Sequence, residues 1–451
     1  MSLVNLKNLL PALAFAGICA ATAASWDAWL SYDNEFIDPS YILSKPWTSS
    51  PSLQDAADTI VAYADVLRSQ GPWSVTFKKA PIVAPSGDPH DYLSWAPYWW
   101  PDCSHAGNTT ALTDQEVWTR CVYVDRDGEF VPDARLVNDT GSFMALADTA
   151  MFNALAWQIT GNDSYAHTAA DFINTWYLDD TTHMNPNLNY SQVKRGPGVQ
   201  VGNKSGVLDM KNTAKILIAV LLFRKTGFVG WTQEMDHKMR EWSSAFIKWL
   251  QVHPFGIAEM GSTNNHGTYW VNTMVSHQLI VDDIPEAQRY LNAFFDGHYL
   301  KQIDANGEQP LEALRSRSFH YRAYNLGALI TNAKLAAYVE LPALWTHPSA
   351  QNGTIQKALD YAIARDPAAT HERGDASEIH QHVAAVAAHF GDPSGKYAAF
   401  LQGQDAAFRM RPYFLWNQPL AQGNSTTGTP PTGNTWLVLV AVVVQVVVHM
   451  W

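Results

Sequence analysis

Two short stretches hold most of the side chains that could do chemistry. Ser262 to Trp270 packs Asn264, Asn265, His266, Tyr269 and Trp270 around a glycine, where one helical pattern stops and another begins. Further on, Arg315 to Asn325 supplies the cations and phenols that the first stretch lacks, Arg315, Arg317, His320, Tyr321, Arg322 and Tyr324, with no acid between 315 and 322. A core would be apolar here, and a solvated loop would not be aromatic, so the pair reads as a site. Amide, imidazole and guanidinium groups donate hydrogen bonds to an anion, and a phenol beside cations can take up a proton. A lone histidine among rings is usually just packed. Asn-Asn-His at a glycine break, and arginines interleaved with Phe319, Tyr321 and Tyr324, point instead to a half-buried groove.

A third stretch is aromatic. Pro97-Tyr98-Trp99-Trp100-Pro101 lies inside a long irregular region, 71–140, and its prolines hold the run extended. Rings presented on alternate sides suit stacking on sugar faces; they would equally plug the mouth of a barrel. The polar loop from Met184 through Asn187 and Gln192 to Gly206 is expected to join this run to the Asn-His stretch around one cleft. The segments His371–Asp375 and Glu378–His382 are rich in groups able to bind metal. His380 and His382 are nevertheless two apart, off a common helix face, and no H-E-x-x-H spacing occurs, so neither metal nor cofactor is expected.

These stretches need a frame. Apolar residues at three- and four-residue spacing predict helices over 53–70, 142–159, 164–177, 208–226, 232–251, 267–280, 285–296, 318–339, 353–364, 377–391 and 393–409. Continuous β alternation is hard to find. A series of antiparallel helix pairs this long cannot bury its faces as a small bundle, so an all-α ring, an α/α toroid, is the expected closure.

Composition bounds the function. A chain of 451 residues that is 47% hydrophobic folds, and its 18 tryptophans need a large core or a carbohydrate groove. A net charge of −12 argues against nucleic acid but leaves an acidic substrate open, because the local field matters more than the sum. Residues 1–24 read as a secretory signal, 25–420 as the catalytic domain, and 421–451 as a polar spacer with an apolar tail. That tail matches the signal for a GPI anchor, or alternatively forms a buried terminal strand. Export is supported by seven N-x-S/T sequons, at Asn108, Asn138, Asn162, Asn189, Asn203, Asn352 and Asn424. Cys103 and Cys121, the pair left after signal removal, are expected to form a disulfide. The expected setting is therefore extracellular, with attachment to a membrane through the lipid anchor.

Taken together, four motifs resemble the alginate lyase family of polysaccharide lyases. They are Pro97-Tyr98-Trp99-Trp100-Pro101, Met184 to Gln192, Asn264-Asn265-His266 with Trp270, and Arg317 seven residues before Tyr324. The resemblance implies an incomplete α/α toroid that cleaves a 4-linked polyuronate, mannuronan or glucuronan, by β-elimination. It implies a catalytic set of Asn265, His266, Arg317 and Tyr324, and an acidic polysaccharide as partner of a monomeric enzyme. Substrate contacts would come from Tyr98, Trp99, Trp100, Asn187, Gln192, Asn264, Trp270, Tyr321 and Arg322. The family often carries Asn just before the tyrosine, whereas here Ala323 precedes it and Asn325 follows, which leaves Tyr321 as a rival phenol. Two other readings stand beside this one. A glycoside hydrolase would need paired carboxylates from among Asp88, Asp91, Asp102, Glu259 and Glu312, and a non-catalytic sugar-binding protein would keep the tryptophans without needing Arg317 and Tyr324.

Overall fold

The computed structural model describes residues 34–107, 111–199 and 201–420. The expected leader, the polar spacer with its apolar tail, and the sequons at Asn108 and Asn424 lie outside the described residues. The predicted helices form, with ends shifted by a few residues: α1 (Gln54–Arg68), α2 (Asp139–Thr160), α3 (Asp163–Tyr177), α4 (Thr213–Thr226), α5 (Gln233–Val252), α6 (Pro254–Met260), α7 (Asn265–Ile280), α8 (Ile284–Phe295), α9 (Ser318–Tyr338), α10 (Ile355–Ile363), α11 (His380–Phe390) and α12 (Lys396–Gln404). Periodicity did not predict α6. Pro254 starts it at a position where a missing N–H costs nothing, and the His253 side chain accepts from the Phe255 N–H.

Two kinds of helix build a ring. α4 is apolar all round and buried from Thr213 to Phe223, which requires packing on every side. α2, α7, α9 and α11 are buried in the same way, and each of these inner helices contacts the next along α2, α4, α7, α9, α11. Outer helices are amphipathic. α8 buries Ala287, Tyr290, Leu291, Phe294 and Phe295 as one stripe, and its larger side chains contribute roughly 1.5–3 kcal/mol each on burial. α3 lies on α2, α5 and α8 on α7, α10 on α9, and α12 on α11. The result is an all-α, incomplete α/α toroid around one hydrophobic core that runs from Phe36 to Leu420.

Four short strands were not legible as alternation. β1 (Leu93–Trp95) pairs in parallel with β4 (Tyr190–Val193), and β2 (Trp99–Asp102) pairs antiparallel with β3 (Val122–Asp125). Three or four residues are too few to show a period of two. The disulfide between Cys103 and Cys121 forms, just beyond the Asp102–Val122 pair, and ties the open end of that hairpin. Among the described residues no helix is long and apolar enough to cross a membrane.

Candidate active site

α7 opens the site. Its first turn carries Asn265 and His266, and at Gly267 a side chain would overlap the Ser262 carbonyl, so glycine is what lets α6 and α7 meet so tightly. His266 Nδ1 is hydrogen-bonded to the buried Glu259 of α6, whose other oxygen accepts from Ser262 Oγ at 3.2 Å and lies 3.4 Å from Lys204 Nζ. This fixes the imidazole. With Nδ1 engaged and the side chain 18% exposed, Nε2 is the nitrogen left for a ligand. Asn265 is held more deeply, at 1% exposure. Its backbone N–H and Nδ2 both donate to Glu312, at 2.8 and 2.6 Å, and burial raises the pKa of that carboxyl against the pull of these donors. Glu259 and Glu312 were candidates for a hydrolytic pair. Both are buried and spent on orienting Asn265 and His266, so they cannot flank a glycosidic bond.

α9 supplies the other half. Glu372 accepts the Phe319 and His320 N–H groups at 3.0 and 2.8 Å, a carboxylate at the positive end of the helix. Arg317, just before the first turn, pairs with Asp375 at 2.7 Å and keeps 31% of its side chain exposed. The Tyr324 ring packs on Tyr269 of α7 at 4.4 Å between centroids, and the Tyr269 hydroxyl donates to the Tyr324 carbonyl at 2.9 Å. That contact sets the starts of α7 and α9 side by side. His320 stacks on the same ring at 5.7 Å. Burial, helped by nearby Arg317, lowers the His320 pKa to about 3, so its imidazole is neutral. Its Nδ1 lies 2.7 Å from Glu378, whose carboxyl burial holds well above the usual range. The 371–382 stretch is thus the wall behind α9.

The aromatic run and the glycine-rich loop meet these halves. The Tyr321 hydroxyl donates to the Tyr98 hydroxyl at 3.2 Å, and the Arg315 guanidinium lies 3.6 Å from the Tyr321 ring centroid. Trp99 and Trp100 are half-buried on β2, with Lys194 4.0 Å from the first ring and Arg126 5.0 Å from the second. Gln192 donates its side-chain amide to the buried Asp209 at 2.7 Å and its backbone N–H to Ser94 at 2.7 Å, from a left-handed φ of 48°. Such a conformation in a non-glycine residue is frequent at functional sites. Lys204, at the far end of this loop, donates to Ser262 at 2.7 Å, so the loop does join the aromatic run to the Asn-His stretch.

Two expected substrate contacts lie elsewhere. Trp270 is 1% exposed and packs edge-on against Tyr290 of α8, because position 270 of α7 points into the core. Arg322 pairs with Glu308 at 2.7 Å, about 200° around α9 from Tyr324. Asn187 and Asn264 are half-buried at the edge of the site, Asn187 contacting Asp91 at 3.4 Å. Tyr321 loses its standing as a rival base, since burial pushes its phenol well up. Sequence reasoning missed Lys211, whose ammonium lies 4.9 Å from the Tyr324 ring centroid. It sits inside a segment read as helical core, and nothing in its neighbours marks it.

Comparison with known proteins bears on the family and the fold. The sequence model described as alginate lyase matches residues 76–371. A crystal structure of an alginate lyase from Bacteroides ovatus superposes with a TM-score of 0.73 at 24% identity, covering 86% of this chain and 99% of that one. An alginate lyase from Sphingomonas species A1 gives a TM-score of 0.42 at 14% identity, covering 74% and 87%. No curated protein sequence matches the chain.

Proposed function

Since the chain belongs to the alginate lyase family and is a polysaccharide lyase, we propose that it cleaves a 4-linked polyuronate of the mannuronan or glucuronan type by β-elimination at the Tyr324 site. The proton to be removed, H5, is very weakly acidic while the neighbouring carboxylate is ionised. Arg317, His266 Nε2 and the Asn265 amide would neutralise that carboxylate and stabilise the dianion that follows, each donor contributing about 3 kcal/mol at the transition state. Tyr324, as phenolate, takes H5. The electron pair forms the C4=C5 double bond, the C4–O4 bond breaks, and the phenol returns its proton to O4. In mannuronate and glucuronate H5 and O4 lie on one face, so a single tyrosine can do both. Their C5 epimers place these atoms on opposite faces and would need a second base, His266.

One observation carries this reading. The Tyr269 ring of α7 packs on Tyr324 of α9 at 4.4 Å and its hydroxyl donates to the Tyr324 carbonyl, so the helix that opens with Asn265 and His266 touches the one that carries Tyr324, which supports a shared donor set around the phenol. Purified protein is expected to convert mannuronan or glucuronan to products with the ultraviolet absorbance of an unsaturated uronate. New reducing ends without that absorbance would sink the elimination.

The same reading places the enzyme outside the cell, with residues 1–24 removed and the stretch from 421 exchanged for a lipid anchor. Its support is the leader composition and the tail. Expression in a secretory host should yield cell-surface protein that a phosphatidylinositol-specific phospholipase releases. Retention inside the cell would contradict it.

A further inference from the structure

A histidine can neutralise a substrate carboxylate only if the nitrogen that meets it carries a proton. At His266 the surroundings decide where that proton sits. Glu259, fully buried on α6, is hydrogen-bonded to His266 Nδ1 through one oxygen. Its other oxygen accepts from Ser262 Oγ at 3.2 Å and lies 3.4 Å from Lys204 Nζ. Lys204 also donates to Ser262 Oγ at 2.7 Å, which occupies a lone pair of that oxygen and turns the hydroxyl proton toward Glu259. Two donors thus meet this oxygen, and a carboxyl proton has no place there.

On the first oxygen, a proton shared with the ring goes to the stronger base. An ordinary imidazole has a pKa of about 6.5 and a glutamate carboxyl one of about 4.3, so the proton stays on Nδ1. A neutral ring with its hydrogen on Nδ1 has none on Nε2. The nitrogen left for a ligand is then an acceptor, and it opposes a carboxylate until a second proton arrives. Once it arrives the ring is a cation between two carboxylates, Glu259 on Nδ1 and the substrate's on Nε2.

Other charged groups face this pair. Lys204, from the 3-10 turn Lys204–Met210, opposes a charge on the ring, but it is 47% exposed and water screens it more than the buried Glu259. Glu312 favours the charge, since its carboxyl feels His266, although its oxygens are bonded to Asn265 and it also feels Arg315. His298, beside Gly267, spends Nε2 on the Met260 carbonyl at 3.1 Å.

We propose that Glu259 is a positioning residue that holds the proton of His266 on Nδ1, so that a uronate carboxylate enters the site together with a further proton, which binds at Nε2. Glu259 itself touches no substrate, being wholly buried. The inference rests on the assignment of His266 to the substrate carboxylate.

The test counts protons. An oligouronate of the polymer that the enzyme cleaves is bound to Tyr324→Phe at pH 8, and calorimetry in two buffers of different ionisation enthalpy gives the protons taken up per ligand bound. About half a proton or more is expected, because a carboxylate within reach of an imidazole moves its pKa by about 1–3 units. His266→Gln in the same background should take up none. Glu259→Gln, checked for folding by thermal unfolding, should take up far less than its parent, since the new amide can donate to Nδ1 and leave the hydrogen on Nε2. A purely structural role of Glu259 would weaken binding but leave the protons per bound ligand unchanged. That result, or no uptake in the parent, would overturn the proposal.

A second measurement needs neither substrate nor a variant at Glu259. With histidine labelled with nitrogen-15, the signals lost in His266→Gln identify the ring, and in its neutral form it should show hydrogen on Nδ1. Hydrogen on Nε2 would equally overturn the inference. Hydrogen on Nδ1 in a protein that binds no uronan would sink the proposed function and leave Glu259 as the group that fixes the ring.

Discussion

Tyr324→Phe is expected to lower kcat by about 10³-fold or more while substrate still binds, because in the proposed elimination the one oxygen it removes both takes H5 and returns the proton to O4. The ring itself is retained. Its contacts with Tyr269 at 4.4 Å and His320 at 5.7 Å belong to the ring, and the Tyr269 hydroxyl bonds the backbone of residue 324, which Phe keeps. The cleft should therefore stay intact, and binding of an oligouronate measured by calorimetry should change by no more than a fewfold. Product formation followed by ultraviolet absorbance provides the rate. Near-wild-type turnover would remove Tyr324 from the reaction and return attention to His266, the other group with a nitrogen open to the cleft.

Arg317→Ala should lose about 10² to 10³ in kcat/KM, since in the proposed elimination it deletes a charged donor from a carboxylate that becomes a dianion in the transition state. Both constants should suffer. The ground-state carboxylate is already an anion, so KM rises, and the added negative charge of the transition state lowers kcat further. Arg317→Lys is expected to recover little. The guanidinium bonds Asp375 at 2.7 Å with 31% of the side chain still exposed, and a lysine ammonium lacks the planar fork that can hold a second partner. Steady-state kinetics of the two variants decide this, and full activity in Arg317→Lys would show that charge alone suffices.

How much of this was written in the linear chain follows from the range of each interaction. The helices of the toroid were legible because their signal is local: the stripe Ala287, Tyr290, Leu291, Phe294 and Phe295 recurs every three or four residues. The two stretches proposed to form the site also stood out, as polar and aromatic groups crowded where a core or a loop would hold neither. The α6 helix and the four short strands were not, being too short to carry a period. Trp270 and Arg322 could not be placed because the face that a helical position presents depends on what packs around it.

The amino-acid sequence alone thus determined the all-α frame, the family resemblance through its four motifs, and the residues Asn265, His266, Arg317 and Tyr324 as the place to look. Only the tertiary structure decided which groups surround them. Glu259 and Glu312 became supports for His266 and Asn265, Glu378 came to lie against His320 under burial that raises its carboxyl pKa, and Lys211 came to face Tyr324 across a gap of 113 residues. Charge and hydrogen bonding act over a few ångströms in space, whatever the distance along the chain, so these partners become visible only once the ring has closed.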